Sequence, residues 1–411
     1  MLVSKKNIIA LFLTKLAEFA IPIIIFPILA RNLGVSHLGS YSIIQVIISF
    51  IFVFLDYGYS VNGVRLTAIL KDNFVELGKF VQKALMLRGA IGLIAYALSL
   101  VVMYIFFRTS FNLDVGIFLF FAMLSMVINL GWLFQGLEII KRYAFLLLII
   151  RLISVIPVIL LIKSPDDFIL SLWLSNVANV SGGIYTLFVL KRQRVNILGS
   201  VRFVEVIEEF KSGWHFFVPS IYSIFLTGGG VLALGVYQPP ATVGGYAAME
   251  RLVKAVLGVT GVINQVVYPR VASLAQTSHK TALGEIRRNF LFFMPIIFLI
   301  TLSLIVFGPF ISNVLYGEKY DKFTDVLRYL PFYILFASIN TFIGVIYMSI
   351  FNFQKIYSKI FMIGTIFAVL IYTSLPNVIG YHAPALGLVV SEAVITLLIS
   401  LFIIKKRGSY V

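Results

Sequence analysis

The segment VGGYAAMERLVKAVLGVTG, residues 243–261, carries Glu250, Arg251 and Lys254 inside an apolar stretch that runs on to Pro269. A charged side chain at the centre of a bilayer costs about 2.5–3.5 kcal/mol on insertion scales, so such groups face protein or water rather than lipid. At the rise of a helix these three lie roughly 10–17 Å in from Val243, too deep for all of them to snorkel out. Glu250 and Lys254 are i,i+4 neighbours and Arg251 and Lys254 are i,i+3 neighbours, which makes one polar patch with an excess of positive charge. One chemistry open to it is capture of a phosphate. Arginine grips phosphate oxygens in pairs, whereas lysine acts as a point charge. The other reading is an ion-pair cluster that locks helix packing. Intramembrane charges usually mark a pathway, which favours capture.

Other ionisable residues fall in apolar runs. Lys15 and Glu18 are i,i+3 in the first; they neutralise each other, or Lys15 joins a cationic cavity. Arg151, about a third of the way into the fifth run, is a further cavity candidate. Arg88, near the start of the third, reads as a snorkelling residue. Asp56 lies on the same helical face as Gln45 and Ser49. It is a proton or sodium site, or a helix-end residue near the cytoplasmic surface. Glu18 and Glu250 are the other coupling-ion candidates, and Glu392 is a lesser one. Pro22 and Pro27 in the first run, and Pro219 and Gly229 in the seventh, are expected to bend their helices. Paired broken helices point to moving elements and a substrate site.

The elements that position these groups follow from composition. The chain has 411 residues, 60% hydrophobic and 12% charged, whereas a soluble domain is about a quarter charged. Apolar segments of spanning length lie near residues 8–30, 40–62, 84–107, 115–138, 143–162, 168–190, 214–237, 243–268, 290–312, 328–351, 357–375 and 384–404. The reading is an all-α polytopic membrane protein with twelve transmembrane helices. Lys and Arg concentrate in alternate loops (Lys5, Lys6, Arg65, Lys141, Arg142, Arg270, Arg287, Arg288, Lys405), which puts both termini in the cytoplasm. The net charge of +16 is thereby explained by topology, without nucleic acid. In the loop over 191–212, Phe203, Ile207 and Phe210 share one helical face, the pattern of an interfacial helix.

The chain also repeats. LGVSHLGSY (33–41) aligns with QPPATVGGY (238–246), pairing Gly39 with Gly244 and Tyr41 with Tyr246, and the same offset of 205 pairs Arg65 with Arg270. At the positions of Glu250, Arg251 and Lys254 the first half has Gln45, Val46 and Ser49. The expected organisation is two pseudo-symmetric six-helix bundles, over residues 1–190 and 213–411, joined by a linker over 191–212 and arranged around a central cavity.

Three motifs carry a family resemblance: IPIIIFPILARNLGVSHLGSYSIIQVIISFIFVFLDYGYSVNGVRLTA (21–68), WLFQGLE (132–138) and LYGEKYDKFTDVLRYLP (315–331). In its proline pair, its LGxxxLGxY turn and its DYG run, the first resembles the polysaccharide-biosynthesis flippases, the Wzx-type O-antigen transporters of the multidrug/oligosaccharidyl-lipid/polysaccharide exporter superfamily. The resemblance implies a flippase of the bacterial inner membrane. Its substrate would be an undecaprenyl-pyrophosphate-linked oligosaccharide, moved between leaflets by alternating access and engaged through cationic cavity residues. Membrane lipids, a polysaccharide polymerase and a chain-length regulator are the implied partners, and H+ or Na+ the implied coupling ion.

Two other readings compete. A cation-coupled multidrug exporter of the same superfamily needs carboxylates for cationic drugs, and the deep charges lean cationic. A membrane glycosyltransferase or polymerase needs a large extracytoplasmic loop, and the outer loops are short; the one holding Glu318, Asp321 and Asp325 reads as a capping segment. No P-loop, Ser-His-Asp set or metal-ligand spacing is visible, and cysteine is absent. The expectation is a transporter with no cofactor and no metal, not an enzyme.

Overall fold

The computed structural model describes the backbone of residues 5–193, 195 and 201–407, and the side chains of these except 5–22, 259, 260, 262, 265, 266 and 407. The side chains of Lys15, Glu18 and Pro22 therefore lie outside the described residues. Every regular element described is helical. Among the described residues, eight helices are long and apolar enough to cross a membrane, or nine if a pair bent by 52° near Tyr329 counts as one span. The polytopic all-α reading holds, but the count of twelve spans is not reached by that measure. The helix over 168–192 is diluted by Ser171, Ser175, Asn176 and Asn179, and the helix over 240–277 by its charges.

The chain divides into two compact units, residues 1–33 with 40–224, and residues 34–39 with 225–411. The first contains most of α1 (Lys5–Asp56), then α2 (Val64–Leu70), α3 (Phe74–Phe106), α4 (Leu113–Ile128), α5 (Gly131–Gly136), α6 (Ile140–Leu161), α7 (Phe168–Arg192) and the first part of α8 (Phe203–Tyr237). α4 packs between α3 and α7, and α7 also covers α6.

The DYG run is where α1 ends. Tyr57 and Gly58 both have positive φ (43° and 82°), a conformation that glycine adopts without strain and other residues rarely do. The reversal drives Tyr57 against α8: its ring stacks on Phe210 at 5.0 Å and its hydroxyl donates to the Phe210 carbonyl at 3.0 Å. Tyr59 stacks on Trp132 at 5.2 Å, and Phe80 meets the same indole edge-on. The motifs DYG and WLFQG thus share one aromatic core. Residues 203–212 form the first turns of the 35-residue α8 rather than a helix of their own.

The second unit contains the rest of α8, α9 (Pro240–Thr277), α10 (His279–Tyr316), a 3-10 segment (Glu318–Arg328), α11 (Phe332–Asn340), a π-helical segment (Thr341–Met348), α12 (Gln354–Ser374), α13 (Pro376–Ile379) and α14 (His382–Arg407). α12 and α14 pack along each other, and α10 lies on α9. Tyr372 of α12 is fully buried and donates to the Leu226 carbonyl at 2.8 Å.

Residues 34–39 of α1 pack in this second unit, and they bring the repeat into direct contact with itself. The helix breaks at Gly34, with φ 72° and ψ 171°. At the repeat-related position Pro239, with ψ 155°, ends α8 and caps α9. Five residues beyond each break lies a glycine with no space for a side chain. A Cβ on Gly39 would come within 1.8 Å of the Pro240 carbonyl oxygen, and one on Gly244 within 1.9 Å of the Val35 carbonyl oxygen. Val35 and Pro240 are themselves repeat mates, so the contact is reciprocal. The backbone is helical through Pro22, Pro27, Pro219 and Gly229. Within α1 the non-helical dihedrals fall at Gly34, where glycine's freedom at positive φ lets the chain turn.

Candidate functional site

The charged set of α9 is arranged mostly by pairing. Glu250 is buried, and its Oε1 accepts from the Tyr246 hydroxyl and from Lys254 Nζ, each at 3.0 Å. Lys254 Nζ also donates to the Thr227 carbonyl at 2.6 Å, beside the run of three glycines in α8. Helical spacing brings Tyr246, Glu250 and Lys254 onto one stripe, each four residues from the next. Arg251, one residue off the stripe, is exposed. Much of the positive charge of Lys254 is therefore met inside the protein, and Arg251 is the cationic group of the set that reaches the surface. In the first unit the repeat mates keep the scaffold without charge: Gln45 Nε2 donates to Ser175 Oγ at 2.8 Å, and Ser49 Oγ to the Gln45 carbonyl at 2.9 Å.

Arg88 is not a snorkelling residue. It is 2% exposed. Its guanidinium donates to the Val127 carbonyl at 3.2 Å, to the Asn129 carbonyl at 3.3 Å and to the Met126 carbonyl. These are the carbonyls left open where α4 stops, since Asn129 and Leu130 leave the helical region before α5 begins. A cation at a helix C-terminus answers both the open carbonyls and the dipole. The sequence places Arg88 near a helix start; that it reaches the end of a neighbouring helix is a tertiary fact.

This break borders a cavity of about 260 Å³ that lies wholly within the first unit. Asp56 and Ser60 contribute from the end of α1, Asn129, Trp132 and Gln135 from the break and α5, Tyr143 and Arg151 from α6, and Asn179 from α7. Of the expected residues, Asp56 and Arg151 are brought to one space, together with Arg88. Asp56 Oδ2 accepts from Ser60 Oγ at 2.8 Å, and Tyr143 donates to Asn129 Oδ1 at 2.6 Å. Asn129, Trp132 and Asn179 were missed by reasoning from charge; the signal available was Asn129, an amide inside an apolar run just ahead of WLFQG.

Glu392 of α14 is 6% exposed. Its Oε2 accepts from Asn340 Nδ2 at 2.6 Å, and Thr396 bonds Asn340 Oδ1 at 2.9 Å, at the junction of α11 with the π-helical segment. The loop before α11 is tied down by Asp325. Tyr381 donates to both of its oxygens at 3.1 and 3.0 Å, and His382 Nε2 lies 3.4 Å from Oδ2. Burial and then Asp325 push the Tyr381 hydroxyl up to about 12, so it stays a donor at neutral pH. Among the described residues no three His, Asp or Glu side chains gather as a metal site.

Helices of spanning length, with most of the ionisable groups within them paired inside the protein, define a multi-pass membrane protein. Two solved structures share the fold over nearly the whole chain. An inward-facing multidrug resistance MATE family transporter of the MOP superfamily superposes with a TM-score of 0.70 at 14% identity, covering 96% of this chain and 95% of that one. The lipid II flippase MurJ, in an inward closed conformation, gives 0.68 at 16% identity, covering 97% and 87%.

The polysaccharide biosynthesis protein family matches residues 4–275, and the chain belongs to it. Two proteins that bear the name "Putative O-antigen transporter" align end to end. The one from Shigella dysenteriae is 26% identical over 410 residues, 98% of this chain and 99% of its own length. That from Escherichia coli K12 is 23% identical over 416 residues, 98% and 97%.

Proposed function

We propose that the protein is a flippase that moves a lipid-linked oligosaccharide, an O-antigen or related polysaccharide repeat unit on undecaprenyl pyrophosphate, from the cytoplasmic to the periplasmic leaflet by alternating access. The observation that carries this reading is the end-to-end match to two proteins named as O-antigen transporters. Membership of the polysaccharide biosynthesis family and the fold shared with a lipid II flippase support it. The location proposed is the bacterial inner membrane, as the family resemblance implies, and the distribution of Lys and Arg supports both termini inside. The two repeats act as the moving bundles.

Arg251 is the pyrophosphate-engaging residue. It is the exposed cation of the α9 set, and its planar fork suits paired phosphate oxygens. Lys254 and Glu250 hold α9 to α8 and set the face that Arg251 presents. Glu392, buried with an amide as the donor to its carboxyl, is the group for ion coupling. A polysaccharide polymerase and a chain-length regulator are the partners that would act on the product.

Deleting the gene tests the reading. Surface polysaccharide disappears, lipid-linked repeat units accumulate on the cytoplasmic side, and drug susceptibility is unchanged. The MATE fold supports the alternative of drug export. That alternative predicts the reverse: intact polysaccharide and greater sensitivity to cationic drugs. Glu250, already engaged by Lys254 and Tyr246, is poorly placed to serve a drug cation.

A further inference from the structure

The cavity of the first unit is built differently from the α9 site. A membrane-depth helix break persists only where it is buried in protein or lines a hydrated space, and broken helices commonly frame binding sites. The break at Asn129–Leu130 frames this one. Polar atoms around it lack partners within the protein. The indole N–H of Trp132, a residue only 5% exposed, has no hydrogen bond. Among the described residues, Asn129 Nδ2, Asn179 Oδ1 and the side-chain amide of Gln135 are also unengaged. Native proteins leave few buried polar groups unsatisfied, so the buried Trp132 N–H beside the cavity, with three unengaged amide groups on the more open part of its lining, points to a ligand or to water held for one.

The kind of ligand follows from the mixture. Donors (Trp132, Asn129) and acceptors (Asn179, Asp56) face the same space, and Gln135 is both. Arg88 and Arg151 line it with Asp56, so charges of both signs are present. The guanidinium of Arg88 is committed to three backbone carbonyls. A diphosphate would meet the Asp56 carboxylate, and a lipophilic cation would meet two arginines. A polyhydroxyl ring, each hydroxyl both donor and acceptor, satisfies the whole set. The volume, about 260 Å³, is at the low end for small-molecule sites, which run from about 300 to 1,000 Å³.

We propose that this cavity binds a single neutral sugar ring, held by Asp56, Asn129, Trp132, Gln135 and Asn179. The inference rests on the flippase reading in one respect: the lipid-linked glycan supplies the ring. It assigns glycan recognition to the first unit and leaves the pyrophosphate to Arg251 of the second.

The test uses the purified full-length protein carrying Trp173→Phe and Trp214→Phe, which leaves Trp132 as the sole indole. Probes are methyl glycosides of glucose, galactose, rhamnose and N-acetylglucosamine, with inorganic pyrophosphate and tetraphenylphosphonium alongside. At least one glycoside is expected to change Trp132 emission saturably, and neither ion to compete with it. Gln135→Ala and Asn179→Ala each weaken that binding about tenfold, the effect of one lost hydrogen bond in a site built around it. Gln135 is exposed and its side chain unengaged, so its variant tests the pocket even if Asn179→Ala fails to fold. Silence across the glycosides, wild-type affinity in Gln135→Ala, or displacement by pyrophosphate overturns the proposal. The two readings fail separately. Export of unaltered polysaccharide by cells carrying Gln135→Ala and Asn179→Ala removes the pocket and keeps the flippase. Glycoside binding by a protein whose deletion leaves polysaccharide intact does the opposite.

Discussion

Substituting alanine at Gly39 or Gly244 probes the reciprocal contact between the repeats. The new methyl carbon at Gly39 would stand 1.8 Å from the Pro240 oxygen, 2.6 Å from its carbonyl carbon and 2.9 Å from the Gly244 nitrogen. At Gly244 the nearest atoms are the Val35 oxygen at 1.9 Å and the Gly39 nitrogen at 2.8 Å. All are backbone atoms, so no side chain can swing aside. To reach an ordinary contact, the two segments must separate by roughly 1.5 Å, in a close-packed interior that resists such shifts. Overpacking costs about 1–3 kcal/mol and occasionally more, and a backbone clash belongs at the upper end. Alanine returns about 0.5–1 kcal/mol of helix propensity. The net loss is about 2 kcal/mol for each variant, similar in the two because the contact is reciprocal. The double variant should cost clearly less than the sum, since one separation accommodates both methyls. Thermal unfolding of purified protein, followed by loss of the monodisperse peak in size-exclusion chromatography, measures the series. Gly89→Ala and Gly284→Ala, with no atom within 4 Å of the added carbon, are the controls and should be neutral or stabilised. If Gly39→Ala and Gly244→Ala melt with the controls, or their effects simply add, the reasoning is refuted.

Other substitutions separate the roles of the charges. Arg251→Ala should abolish surface polysaccharide at unchanged protein level, with Arg251→Lys intermediate; normal polysaccharide in Arg251→Ala would remove it from the site. Lys254→Ala should instead lower stability by about 2 kcal/mol, because it leaves the buried Glu250 carboxylate with one hydroxyl donor; adding Glu250→Gln should restore most of that loss in the same melting assay. Arg88→Ala should cost about 3 kcal/mol or more by stranding three carbonyls, and Arg88→Lys should not rescue it, since an ammonium cannot span them; wild-type melting of Arg88→Lys would contradict the capping role. Asp167, in the connection between α6 and α7, accepts from the backbone N–H groups of Lys163 and Ser164, which hold its carboxyl below the usual range. A folded-state value below the unfolded one stabilises above the unfolded value of about 4 and is lost as pH falls through the folded one. Asp167→Asn should therefore melt earlier than wild type at pH 7, and the difference should vanish on acidification below pH 4.

What the amino-acid sequence determined by itself is what depends on the identity and spacing of nearby residues. Apolar content puts the chain in a membrane, and i,i+3 and i,i+4 spacing foretells the Glu250–Lys254 pair. The offset that pairs Gly39 with Gly244 marks the repeat, although it does not say that the two glycines touch. Tertiary structure decided which groups meet across helices. Arg88 lies 39 residues from its Val127 acceptor, and the cavity draws residues from five stretches between Phe52 and Asn179. Lys254 finds the Thr227 carbonyl 27 residues away on α8. Helical periodicity reports the face a residue occupies, but not the neighbour packed against that face. For a buried charge it is the neighbour that decides between a structural role and a functional one, because burial without a partner is what makes the charge costly.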